Sequence, residues 1–302
     1  MNLLAVLACL LWSTAFVGIK IGLAYTTPLR FAGIRFFIAG AVLLPFVGGI
    51  ATILAAMREH WRYIALISLL STVVVYGLFY LGISMGSAST TAIVVGGGPL
   101  FIAVMAHLFM PDDKLSMRKG LSLLLGLTGI WAIAVSRYSD DAGGRTAFWG
   151  VLLLVGANIS GGFGNILIAK SRREIKPLML SALQLALGGA VLYLISLFVE
   201  PPASGPKPAA YYGALFYLSA LSAAAMTIWF WLLRQPEVKV SEVNLWKFLI
   251  PVVGAVLSWI VLGNESPDKG QIFGMISIAA ALVWMHYRPY ASKIRRREKE
   301  KA

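Results

Sequence analysis

Three basic side chains, Lys20, Arg35 and Lys247, fall within long apolar runs of the sequence, and no Asp or Glu falls in the middle of any such run. A charge in an apolar run is costly, and one that persists marks a ligand path, an ion path or a group that reaches the interface. A carrier selective for cations would keep a buried carboxylate to attract the cation and carry the proton. The pattern here ranks neutral, zwitterionic and anionic solutes above cations. Arg35 could grip a carboxylate through a bidentate fork, or it could snorkel and cap a neighbouring helix. Lys20 and Lys247 lie near the ends of their runs, where coupling or gating competes with plain interfacial placement. His107, at a run's end, titrates in the range of a proton relay, though an interfacial histidine needs no such role.

Backbone chemistry is the second signal. In Val94–His107, VVGGGPLFIAVMAH, the glycines Gly96, Gly97 and Gly98 and then Pro99 interrupt an apolar run. Pro99 removes a donor and leaves a carbonyl of the preceding turn unpaired. Where such a break lines a cavity, its backbone groups can bind a solute; the plain reading is close packing or a bend. Pro251 stands at the matching place in LWKFLIPVVGAVLSWIVLGNE. Tyr76 and Tyr80, four apart, share a helical face, as do Asn158 and Asn165, seven apart. With Trp12 and Trp246 these complete the candidate substrate-binding set: Trp12, Arg35, Tyr76, Tyr80, Gly97, Gly98, Pro99, Asn158, Asn165, Trp246 and Pro251. Lys20, His107, Asp113, Lys247 and Glu265 are the candidates for coupling or gating. Cys9 is the single cysteine, the three histidines are scattered, and no phosphate-binding loop occurs. Metal ligation, a cofactor and catalysis are therefore not expected, and the chain reads as a non-enzyme.

The elements that hold these residues must be membrane helices. Of 302 residues 59% are hydrophobic and 13% charged, against about 25% charged in soluble domains. A spanning helix needs about 20 apolar residues, and ten such segments are expected near 3–23, 32–55, 62–83, 88–109, 117–136, 147–169, 178–199, 210–233, 243–263 and 269–287. Lys and Arg divide 18 to 5 between alternate loops and the tail, which places both termini in the cytoplasm. The net charge of +13 lies beside membrane spans, so anionic lipid headgroups, not nucleic acid, are the expected counterpart.

The second half echoes the first. Lys20 matches Lys170, Pro28 matches Pro177, Arg35 matches Gln184, Pro99 matches Pro251, Asp113 matches Glu265 and Gly120 matches Gly270, always 149 to 152 positions on. Five spans separate each pair, and an odd number inverts the second unit in the membrane. The expectation is an all-α integral membrane protein of ten transmembrane helices in two inverted five-helix repeats, 1–138 and 139–302, the second with a basic cytoplasmic tail.

WSTAFVGIK in the first span, TPLRFAGIRFFIAG in the second, GSASTTAIVVGGGPLFIAVMAHLF in the fourth and PVVGAVLSWIVLGNE in the ninth resemble the drug/metabolite transporter superfamily, specifically its bacterial ten-helix type with two EamA domains. The resemblance covers residues 3–287. It implies an inner-membrane carrier, often an exporter of amino acids, other metabolites or toxic organic compounds. It also implies a central cavity lined by the first four helices of each half, with the fifth of each supporting the bundle or a homodimer contact. Where the family commonly has a Gly-Glu pair after the fourth helix of each half, the first half reads MPDDK and the second GNE; Asp113 preserves charge on a shorter stem.

The function expected is secondary transport of a small neutral, zwitterionic or anionic organic solute by alternating access, with proton coupling open. The alternatives are an efflux pump for lipophilic or quaternary cations, a channel, and a membrane scaffold or enzyme. The last of these would need clustered acids, histidines or a nucleophile near one interface.

Overall fold

The computed structural model describes residues 2–110, 117–137, 142–171, 175–202, 205–236, 238, 240–262 and 266–286. In chain order the helices are α1 (Asn2–Leu23), α2 (Pro28–Leu43), α3 (Ile50–Ser68), α4 (Val75–Met85), α5 (Ala88–Gly96), α6 (Gly98–Phe109), α7 (Met117–Arg137), α8 (Ala142–Lys170), α9 (Pro177–Val199), α10 (Ala209–Leu233), α11 (Val240–Val243), α12 (Leu249–Val261) and α13 (Lys269–His286). Counting Ile50–Met85 as one, seven are long and apolar enough to cross a membrane by length and composition. The protein is an all-α membrane protein. Helices α7, α12 and α13 occupy the other three places where spans were expected, and the described apolar stretches of α7 and α12 are shorter, Gly120–Ala132 and Val252–Val261.

One boundary differs from expectation. The second span does not run to residue 55. It ends in a 3-10 turn at Leu44–Phe46, and Gly48, at φ +117°, reverses the chain into a new helix at Ile50. That conformation is open to glycine and strained for other residues. The new helix bends at His60 (φ −117°, ψ 17°), and passes through a π-helical segment at Leu69–Val74 before α4.

Packing follows the duplication. Helices α2 and α9, mates in the repeat, lie against one another. Gly33 meets Tyr193 while Gly40 meets Ala182 and Ala186, so the pair runs antiparallel. α1 packs on α10 and α4 on α8, and α5 packs on α12 while α7 packs on α13. Every pairing is either between mates or has a mate among the others, as a two-fold relation between inverted halves requires. Tyr76 donates its hydroxyl to Met226 Sδ at 3.7 Å, and these residues are 150 positions apart. A residue that touches its own mate lies at the pseudo-two-fold axis.

The α2–α9 pair carries a clamp at one end. Glu200, just past α9, accepts from Leu29 N at 2.6 Å, Arg30 N at 2.9 Å and the Thr27 hydroxyl at 2.5 Å. Arg30 in turn donates from Nη1 to Pro201 O at 2.8 Å. The first turn of α2 leaves its amides unpaired and carries the positive end of the helix dipole, so a carboxylate from the neighbouring helix satisfies both. Glu200→Gln keeps the shape and removes the charge. Its expected cost is about 1–2 kcal/mol, read as a lowered melting temperature of detergent-purified protein; an unchanged value would mean that the clamp is only geometric.

Candidate functional site

Both broken helices face one cavity. In the first half α5 stops at Gly96 and α6 restarts at Gly98. In the second, a 3-10 segment at Asn244–Phe248 precedes α12. The cavity between them, about 140 Å³, is walled mainly by α1, α4, α6, α8 and the segment entering α12, and Arg35 of α2 reaches it.

Asn158 closes the first break. Its Nδ2 donates to Val94 O at 2.8 Å, a carbonyl at the break that also accepts the Gly97 amide at 3.1 Å. Its Oδ1 stands 3.0 Å from where a Cβ on Gly98 would lie. Glycine at 98 is thus what lets the amide reach the broken helix.

Lys247 stands on the opposite wall. Its ammonium lies 4.5 Å from the ring centre of Trp229 and 5.5 Å from that of Trp12. The two indoles meet edge to face at 5.1 Å, and Trp229 donates its indole N–H to Asn165 Oδ1 at 3.1 Å. An indole nitrogen only donates, so the Asn165 amide is oriented with its NH₂ group turned away from Trp229.

Arg35, 2% exposed, is held by the protein itself. Its Nε donates to Ser222 Oγ at 2.9 Å and Leu218 O at 3.2 Å, and Nη1 donates to Tyr80 OH at 2.7 Å. The guanidinium also lies 4.8 Å from the Phe36 ring centre. Its repeat mate Gln184 makes the mirrored contact, with the Thr72 hydroxyl, and Thr72 is the mate of Ser222.

Of the candidates named from sequence, the cavity is lined by Trp12, Arg35, Tyr76, Gly98, Asn158 and Asn165, and also by Lys247. The others lie elsewhere. Tyr80 is fully buried beneath Arg35. Gly97 faces Ile130, Pro99 is buried in the first turn of α6, and Trp246 packs on the core beside the cavity. Lys20 donates to Gly86 O at 2.5 Å, and His107 sits in the last turn of α6. Asp113 and Glu265 lie outside the described residues, as does the side chain of Pro251.

Phe16, Phe79 and Val75 supply apolar wall that sequence reading passed over. Trp229 is 2% exposed, whereas Trp231, two residues further along α10, is 40% exposed. Residues two apart on a helix point to opposite sides, so the pair could not share one environment. The repeat offset held the missing signal, because it pairs Phe79 with Trp229, Ala15 with Asn165 and Val95 with Lys247.

A helical bundle whose corresponding helices pack on one another, with helix breaks facing a polar-edged cavity among the described residues, has the form of a membrane transporter. The EamA-like transporter family model matches residues 1–135 and 148–287, and the chain belongs to that family. It is 27% identical over 296 residues to the uncharacterized transporter YvbV of Bacillus subtilis (strain 168), covering 96% of this chain and 93% of that one. It is also 27% identical over 289 residues to the uncharacterized inner membrane transporter YedA of Escherichia coli (strain K12), covering 91% and 87%. A solved crystal structure shares the fold at a TM-score of 0.68 and 18% identity, over 94% of this chain and 96% of its own. The protein is a multi-pass membrane transporter of that family, not an enzyme.

Proposed function

We propose that the cavity between the halves binds a small organic solute that is neutral, zwitterionic or anionic, and that the two halves rock about it to expose it alternately to each side. The observation that carries this reading is the charge of the wall. Arg35 and Lys247 reach the cavity, and no acidic side chain does so among the described residues. A wall of that kind disfavours a cationic solute by Coulomb repulsion that water does not screen. The basic tail and loops support an orientation with both termini in the cytoplasm beside anionic lipid, and export is the direction that the resemblance to the superfamily implies.

Counterflow in liposomes tests this. Purified protein is reconstituted and preloaded with an unlabelled amino acid or organic acid. A saturable, transient overshoot of the labelled solute is expected, and quaternary amines are not expected to compete. Non-saturable flux would point to a pore, and competition by quaternary amines would point to a cation pump.

A further inference from the structure

We propose that Lys247 and Asn165 form a docking point for the carboxylate of a small monoanion whose remaining body is apolar. This rests on the reading of the cavity as the solute site and narrows it to one substrate class.

The Lys247 ammonium has no hydrogen-bond or ion-pair partner among the described residues. It lies over the faces of Trp229 and Trp12, at 4.5 and 5.5 Å, with the Cys9 thiol near enough to feel its charge. Cation–π contact of this kind returns about 0.5–2 kcal/mol, whereas withdrawing an ammonium from water costs several kcal/mol. The indoles therefore locate the charge without compensating it, and a hydrogen-bonding anion is what completes the site. Asn165 adds the second donor. Its Oδ1 is taken by Trp229, and its NH₂ group has no partner among the described residues of a side chain that lines the same cavity.

Arg35 is the alternative anchor, and its bonding argues against it. Two of its nitrogens already donate, to Ser222 and Leu218 and to Tyr80. An incoming carboxylate would have to share a guanidinium already tied to two helices, using the N–H groups that those bonds leave over. At Lys247 it displaces no protein contact.

The repeat sets the shape of the ligand. The mates of Lys247 and Asn165 are Val95 and Ala15, both on the cavity wall. Phe16 and Phe79 extend the apolar surface, and their rings lie 6.0 Å apart. The polar end thus has an apolar counterpart, which suits a ligand with one charged head and a hydrocarbon body. The ammonium of a zwitterion would add a third positive charge to a wall without carboxylates.

The test uses the full chain in detergent and four near-isosteric probes: 4-methylpentanoate, 4-methylpentanamide, leucine and 4-methylpentylammonium. Binding is read by calorimetry and thermal shift. The wild type is expected to bind the carboxylate at least tenfold more tightly than any of the other three. Lys247→Gln and Lys247→Met, each first checked for monodisperse elution and an unliganded melting temperature near wild type, are expected to lose that preference. Because Cys9 is the single cysteine, Lys247→Cys in a Cys9→Ala background allows a rescue. Aminoethyl methanethiosulfonate restores an ammonium by forming a disulfide and releasing methanesulfinate, and the carboxylate preference is expected to return. The neutral methyl reagent is expected not to restore it.

An undiminished preference in Lys247→Gln, tighter binding of leucine or the amine, or no binding of the carboxylate would overturn the proposal. Saturable counterflow of another solute under those results would leave the carrier reading standing. Absence of counterflow for every solute would instead remove the carrier reading, whatever the probes did.

Discussion

Arg35→Ala is expected to destabilise the folded protein by about 2–4 kcal/mol, over and above any effect on transport. The estimate comes from what the guanidinium holds. Hydrogen bonds from a charged donor contribute about 1.5–3 kcal/mol each, although bonds between membrane helices average nearer 0.6 kcal/mol. Three acceptors on two helices are involved: Tyr80 on α4, and Ser222 and Leu218 on α10. Ser222 keeps a bond to Leu218 O at 2.7 Å without Arg35, so its loss is softened. Tyr80 is fully buried and is left without its partner, which sets the lower bound. Tyr80→Phe removes one bond and is expected to cost about 1 kcal/mol. Because the two residues touch, the double variant is expected to cost less than the sum of the singles. Arg35→Lys keeps the charge but cannot span three acceptors, and its melting temperature is expected to fall between wild type and Arg35→Ala. If Arg35→Ala melts like wild type while affinity collapses, Arg35 is a ligand group and not a tie between helices.

The second large effect concerns the α2–α9 contact. A Cβ on Gly40 would stand 2.3 Å from Ala186 N and 2.6 Å from Ala182 O. One on Gly189 would stand 2.2 Å from Phe37 N and 2.8 Å from Gly33 O. These are backbone atoms, so no side chain can turn aside and the helices must separate. Overpacking costs about 1–3 kcal/mol in ordinary cores, and the upper part of that range is expected for Gly40→Ala and for Gly189→Ala. The two sites are mates, and their neighbours Ala182 and Ala186 are the mates of Gly33 and Phe37. Equal losses are therefore expected in thermal melts. Gly213→Ala is the control: nothing lies within 4 Å of the added methyl, and alanine's helix preference is expected to raise stability by about 0.5–1 kcal/mol. Unequal losses at Gly40 and Gly189 would show that the halves do not share the contact as mates.

Much of the architecture was legible because membrane helices announce themselves by length and apolarity, and a duplication announces itself by recurring offsets. The Gly-Pro break and its partner before Pro251 were found in this way. Side-chain direction was harder to read. Lys247 looked like a residue at the entrance of its span. The 3-10 segment at Asn244–Phe248 rotates it toward the cavity, and a 3-10 turn has no strong local code to distinguish it from the first turn of an α-helix. Arg35 and Tyr80 were both candidates for touching solute, yet the structure joins them to one another, because a long charged side chain in a helical bundle meets several helices that a linear sequence keeps apart. Asn158 was noticed for its polarity, but its bond to Val94 O joins residues 64 positions apart. No periodicity within α8 could have shown that.

Tyr76 and Met226 have a further property. Since each is the other's mate, exchanging the roles of the two halves returns the pair to itself. If the halves exchange roles as proposed, their separation stays the same in both end states, as does that of any other mate pair such as Gly40 and Gly189, while distances between non-mates trade places with their twins. A probe on Tyr76 and Met226 would register the same spacing in both end states, whereas the reach from Lys20 to Gly86 would be handed to Lys170 and the chain following α10.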